Sequence, residues 1–161
     1  MINQIKSAKI LLLFIPMPNL AENRQARFDY EILEKLTAGI VLTGQEVKAA
    51  KQGSINLKGS FVTFSGNNAQ LTNAHISKYK AAGPLPDYDP TRSRRLLLKK
   101  REIQYLREKS LEKGLTIIPL RVYTSNHLIK VEIALGRGKH LYDKRATIKK
   151  RDVEREMRRK E

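Results

Sequence analysis

An alternation of apolar and polar residues runs through Ile129, Val131, Ile133 and Leu135, and there it stops. No other feature constrains the fold of this chain as much. Residues 136–161 hold eleven Lys or Arg and five Asp or Glu, with only Leu141, Tyr142, Ile148, Val153 and Met157 as large apolar side chains. A period of two marks a half-buried strand. A segment so poor in apolar residues cannot offset the entropy of ordering by burial. The 161 residues therefore divide into a folded body over 17–135 and a basic tail over 136–161.

Within the body, Phe28-Asp29-Tyr30-Glu31-Ile32 and Ile40-Val41-Leu42 read as strands, and Gln45 to Gln52 as a short helix ended by Gly53. Phe61–Phe64 and Ala69–Thr72 flank Ser65-Gly66-Asn67-Asn68, a run of turn formers that predicts a hairpin. Residues 81–90 carry three prolines and a glycine and read as a loop. Leu96 to Lys113 is expected to be the best helix, closed by Gly114. Ile118, Leu120 and Val122 alternate again, with Pro119 expected at a sheet edge or strand start because it donates no ladder hydrogen bond. Thr124-Ser125-Asn126 then turns the chain into the strand that ends near Leu135. About six short strands with two or three flanking helices make a mainly β fold, a small closed barrel.

The charge defines the class of partner. The net charge is +16, so the compact state repels itself and a polyanion relieves it. A pI near 10.2 puts nucleic acid first and an anionic membrane surface second. There is no cysteine, which removes disulfides, thiolate metal sites and cysteine nucleophiles. His75, His127 and His140 do not share a metal-binding spacing. No nucleophile–base set is visible, so the expectation is a protein with no catalytic residues, no metal and no cofactor.

Two basic segments stand out. Arg92 to Arg101 holds six bases and no acid, where acids would suit a helix start, so phosphate contact competes with a merely solvated face. Gly136-Arg137-Gly138-Lys139 lacks the spacing of a phosphate loop and reads as a flexible hinge between body and tail. Tyr30, Tyr79, Tyr88 and Tyr142 lie among polar residues, where bases can stack. In the tail, Thr147 can cap a helix, and Glu154–Arg158 and Glu156–Lys160 form i,i+4 pairs worth ~0.2–0.5 kcal/mol each. A short helix polar nearly all round is marginal in water. The tail is therefore expected to be disordered when free and helical on an anionic surface.

At the other end, Lys6 and Lys9 precede Ile10 to Ile15, which Pro16 stops. Six apolar residues fall short of the ~20 that span a bilayer. The reading is a leader over 1–16 that is untranslated or disordered, with Met17 as an internal start; membrane attachment through residues 10–15 is the rival.

Several stretches together resemble one family. They are Glu22-Asn23-Arg24-Gln25-Ala26 with Asp29-Tyr30; Ala38 through Lys48; Asp89-Pro90-Thr91-Arg92-Ser93-Arg94-Arg95-Leu96-Leu97-Leu98; Lys130-Val131-Glu132-Ile133-Ala134; and Gly136-Arg137-Gly138-Lys139 with Tyr142-Asp143-Lys144-Arg145. This combination, over about 19–161, resembles the SsrA-binding protein (small protein B) family. The resemblance implies an oligonucleotide-binding (OB) type barrel. It implies binding, as one monomer per RNA, to the tRNA-like domain of transfer-messenger RNA near its elbow, and delivery to stalled ribosomes in the cytoplasm for trans-translation. It further implies that the tail enters the 16S rRNA decoding centre and the empty mRNA channel, in place of a codon–anticodon duplex.

Carried onto this sequence, the resemblance and the chemistry of the side chains name Asn23, Arg24, Glu46, Lys48, Arg92, Arg94 and Lys130 for the RNA. Asn23 and Glu46 can accept or donate at base edges, and the bases neutralise phosphate. Glu46 equally suits holding a neighbouring Arg or Lys in place. For the ribosome the residues are Gly136, Lys139, Tyr142, Asp143, Lys144, Arg145, Lys149, Lys150 and Arg151; many relatives carry His at the place of Tyr142. Two alternatives stay open on composition: a general RNA-binding or ribosomal barrel protein with a basic extension, and a metal-dependent RNA-processing enzyme.

Overall fold

A computed structural model describes residues 19–84 and 86–160; the leader and the start at Met17 lie outside them. In chain order the elements are β1 (Asn19–Glu22), α1 (Arg24–Asp29), β2 (Tyr30–Ile40), α2 (Gly44–Lys51), β3 (Ile55–Asn56), β4 (Phe61–Ser65), β5 (Asn68–Thr72), β6 (His75–Ile76), a 3-10 turn (Lys80–Ala82), β7 (Arg94–Leu97), α3 (Lys100–Leu111), β8 (Leu115–Ser125), β9 (Leu128–Gly138) and α4 (Leu141–Lys160).

Seven strands form one antiparallel sheet in the order β1-β8-β9-β2-β7-β5-β4, and β3 pairs with β6 in a separate ribbon. The sheet curls until β4 packs on β8, which encloses a core of Ala38, Leu71, Leu96, Ile117, Val131 and Ile133. Leu106, fully buried, is the side chain that α3 sinks into that core. The mainly β class expected from the sequence is what the molecule has, with more strands and helices than the expected count.

Four local expectations are corrected or refined. Arg94–Leu97 is a strand rather than the start of a helix. Arg94 and Leu96 point inward and Arg95 and Leu97 outward, because this segment fills the gap between β2 and β5. The helix begins only at Lys100, with the Lys99 N–H bonded to Glu102 at 2.7 Å. Phe28 and Asp29 belong to α1, whose first turn is capped by Asn23. Pro119 sits inside β8 rather than at its start, but at a local edge, as its missing N–H requires: the ladder is irregular between Pro119 and Arg121, and β1 reaches only as far as Arg121.

The fourth concerns Gly136. It is not a hinge: it is buried in β9, paired with Ile32 and Thr116. A Cβ there would come within 3.2 Å of the Tyr30 Cβ, so glycine is what lets the strands close at this point. The strand continues to Gly138, and the change of direction falls at Lys139 and His140.

Candidate RNA interface

Strand alternation places Lys130, Glu132, Ala134 and Gly136 on the outer face of β9. One half of that face is covered. Helix α1 lays Ala26 over Ile118, Leu120 and Ala134, with Tyr30 and Ile32 beside them. The other half is bare. There Lys130 stands opposite Tyr123 of β8 and Gly39 of β2, and Glu132 opposite Arg121 and Thr37. Leu97 of β7 lies opposite Gly39, and Arg95 opposite Gln70 of β5.

The charges on the bare half are not equivalent. Glu132 is spent internally: Arg121 donates to it at 2.6 Å, and Lys35 lies 3.8 Å away. The Arg121 guanidinium also sits 5.0 Å from the Tyr123 ring. Lys130 forms no ion pair among the described residues, so its charge faces outward uncompensated. Beside it Leu97 is 53% exposed, and Val41 is exposed as well. Leu97 can lie flat because Gly39 has no side chain; a Cβ there would be 3.2 Å from the Leu97 Cβ. An uncompensated cation and exposed arginine around a small apolar patch suit a phosphate backbone with an unstacked sugar or base. The sequence reading named Lys130 but missed Leu97, Val41 and Thr37. An outward leucine in a Leu-Leu-Leu run becomes visible only once that run is known to be a strand.

Three expected RNA contacts are turned inward instead. Glu46 and Arg94 are both fully buried. Glu46 closes a capping box at the start of α2: its carboxylate accepts the Thr43 N–H at 2.8 Å, while its own N–H bonds the Thr43 hydroxyl. It also accepts Arg94 Nε at 2.8 Å and Arg92 Nε at 3.0 Å, with a second short bond from Arg92 Nη2. Arg94 donates from its two terminal nitrogens to the carbonyls of Ala74, Arg92 and Pro90. Burial by itself pushes the Glu46 carboxyl up; the Arg92 hydrogen bond, the Thr43 N–H and the Arg94 charge outweigh it and hold the carboxyl below its usual range. Glu46 has no lone pair left for a base, and its place is to hold Arg92 and Arg94. Arg94 begins the same strand that presents Arg95 and Leu97, so this buried cluster aims the bare face from behind.

Asn23 is likewise committed. Its amide nitrogen donates to the Leu57 and Pro119 carbonyls, each at 3.1 Å, and its oxygen caps the Ala26 N–H at 3.1 Å. That stitches α1 to β8 and to the loop before β4. Neighbouring Arg24 projects with 90% of its side chain exposed.

Lys48 is exposed on α2, its Nζ 5.5 Å from the Tyr79 ring. With Thr43, Gln45, Pro86 and Tyr88 it lines an open cleft of about 610 Å³. Tyr88 donates to the Ile76 carbonyl at 2.8 Å and so holds one wall of that cleft. Arg92, paired with Glu46, keeps 36% of its side chain exposed.

The tail leaves the body as a helix. The Lys139 N–H bonds the Asp29 carbonyl at 2.9 Å and its Nζ the Arg27 carbonyl at 3.3 Å, so the root of α4 is tied to the end of α1. Beyond it Asp143, Arg145, Lys149 and Lys150 are exposed, as are Ile148, Val153 and Met157. The side chains of Tyr142, Lys144 and Arg151 lie outside the described ones. Among the described residues no group of His, Asp and Glu could hold a metal ion, and no helix is long and apolar enough to cross a membrane.

Comparisons with known proteins agree on one family. A protein of Sulfurihydrogenibium called SsrA-binding protein is 53% identical over 138 residues, covering 86% of this chain and 90% of its own. One of the same description from Ligilactobacillus salivarius is 51% identical over 140 residues, covering 87% and 90%. A solved chain at 43% identity superposes with a TM-score of 0.64, covering 75% of this chain and 85% of its own; the structure is described as "tmRNA-SmpB: a journey to the center of the bacterial ribosome". The model of the family described as SmpB protein matches residues 20–161, all of the sheet but its first residue and the whole helical tail, and the chain belongs to that family.

Proposed function

We propose that this protein binds the tRNA-like domain of transfer-messenger RNA through the bare half of its sheet and carries that RNA to stalled ribosomes, where α4 occupies the decoding centre and the empty mRNA channel. The observation that supports it best is the outer face itself: Lys130 without a carboxylate partner, beside Leu97 and Arg95, on a surface held rigid by the Glu46 cluster. A rigid, cationic, partly apolar face suits a folded RNA recognised by shape, phosphate and a few unstacked bases. The names of the relatives supply the identity of the RNA.

Arg24, Lys48, Arg92 and Lys130 meet phosphate in this reading, and Asn23, Glu46 and Arg94 position the segments that carry them. Gly136 keeps the strand closed above the tail. Lys139 sets the angle at which the tail departs, and Tyr142, Asp143, Lys144 and Arg145 meet ribosomal RNA, with Lys149, Lys150 and Arg151 following the mRNA path. The body through Gly138 grips; the helical tail beyond it acts on the ribosome. The protein performs no covalent chemistry and works in the cytoplasm. The direct test is to recover the native protein and sequence the RNA bound to it. Transfer-messenger RNA enriched far above bulk tRNA is the expected result. Equal recovery of both marks a general RNA-binding protein instead.

A further inference from the structure

A second recess lies away from the bare face, where the end of α1 meets the start of β4. It encloses about 210 Å³ and is lined by Gln25, Asp29, Tyr30, Ser60, Phe61 and Ile118, among others. That is below the ~300–1,000 Å³ of pockets for drug-sized ligands, so its occupant is a small group. Two aromatic side chains line it, and Phe61 keeps 41% of its surface exposed on an edge strand, where an apolar ring gains nothing from water. Tyr30 is backed by Gly136, so its position is set by the sheet. Gln25 offers both a donor and an acceptor. Exposed cations lie near the recess in sequence: Lys58 just before β4, and Arg24 and Arg27 on α1, which also reach the Glu22 carboxylate at 3.8 and 3.6 Å.

We infer that this recess is a receptor for a single unstacked nucleobase, stacked against Phe61 or Tyr30 and read at its edge by Gln25, with the flanking cations on its phosphates. Small size, aromatic walls and a bidentate amide together suit a base better than a bare phosphate, which the Asp29 carboxylate in the lining also disfavours. The inference rests on the proposed RNA partner and adds a second contact, distinct from the Lys130 face. The recess shares α1 with the root of the tail, since the Lys139 N–H bonds the carbonyl of Asp29, one of its lining residues. A base seated here therefore braces α1, the helix to which the root of α4 is tied. Transfer-messenger RNA and ribosomal RNA can both supply such a base.

The test uses the full chain and two binding arms: a transcript of the tRNA-like domain, and vacant ribosomes. Phe61→Leu keeps apolar bulk without the ring and is expected to weaken one arm about tenfold, while Phe61→Tyr stays near the parent. The arm that weakens identifies the source of the base. In parallel, ultraviolet crosslinking of the unaltered protein followed by mass spectrometry is expected to attach a nucleotide at Phe61 or Tyr30, a result that holds even if a variant misfolds. Unchanged affinity in both arms for Phe61→Leu, equal losses for Leu and Tyr, or crosslinks absent from both positions overturn the receptor and leave the Lys130 face standing. Failure of the parent protein to bind either RNA removes the wider reading as well.

Discussion

Two charged regions of this molecule use the same side-chain types to opposite ends. In the Glu46–Arg92–Arg94 cluster the carboxylate and one guanidinium have no solvent contact, and every donor of Arg94 named above has a partner. In α4 the described cations lie exposed along a helix whose main contact with the body is α1. Buried charge is tolerable only when paired, so Glu46 and Arg94 are spent on the fold. Exposed charge contributes little to stability and is free for a partner. Stability and ribosomal action should therefore separate cleanly between the two regions.

The sharpest break to attempt is at the tail. Replacing Asp143, Lys144 and Arg145 together should abolish tagging on stalled ribosomes while leaving affinity for the isolated RNA and the melting curve unchanged. A matched loss of RNA affinity and tagging would show that gripping and acting are not divided between body and tail.

The cluster should behave in reverse. Glu46→Ala strands Arg94 in the interior and should cost about 3–5 kcal/mol in denaturant unfolding, weakening RNA binding only as far as the fold is lost. A stable variant that fails to bind would instead make Glu46 a direct contact.

Acid titration sharpens the same point. The native Glu46 carboxyl sits below its ordinary value of 4.5, so the folded state releases that proton more readily than the unfolded one. Its contribution is complete above pH ~4.5 and is lost as pH falls through the lower native value. Unfolding followed from neutral pH downward should show this loss, and Glu46→Gln should flatten it. An unchanged acid slope in that variant would assign the loss to other carboxylates.

The smallest effect belongs to a single half-buried cation without an ion-pair partner among the described residues. Lys130→Ala should leave stability within about 0.5 kcal/mol and reduce the log–log salt dependence of RNA binding by ~0.7–0.9, the signature of one phosphate contact. A salt slope identical to that of the parent would take Lys130 off the interface.

Much of this was legible before any coordinate. The β hairpin at Ser65–Asn68, the helix after Thr43-Gly44 and the strand that carries Ile133 and Leu135 follow from local rules, because turn formers, caps and side-chain period act over a few residues. The change from apolar to basic composition near Leu135 is equally local, but the strand runs on to Gly138, through pairing with β2 and β8 that composition does not register. Tertiary structure decided what local rules leave degenerate. Leu96-Leu97-Leu98 suits a strand or a buried helix equally, and only the gap between β2 and β5 selects the strand and turns Leu97 outward. Asn23, Glu46 and Arg94 have side chains fit for RNA, yet their hydrogen bonds reach residues as far away in sequence as Pro119, Arg94 and Ala74. A polar residue in a sequence advertises a capacity to bond; which partner takes it depends on what the folded chain brings within reach.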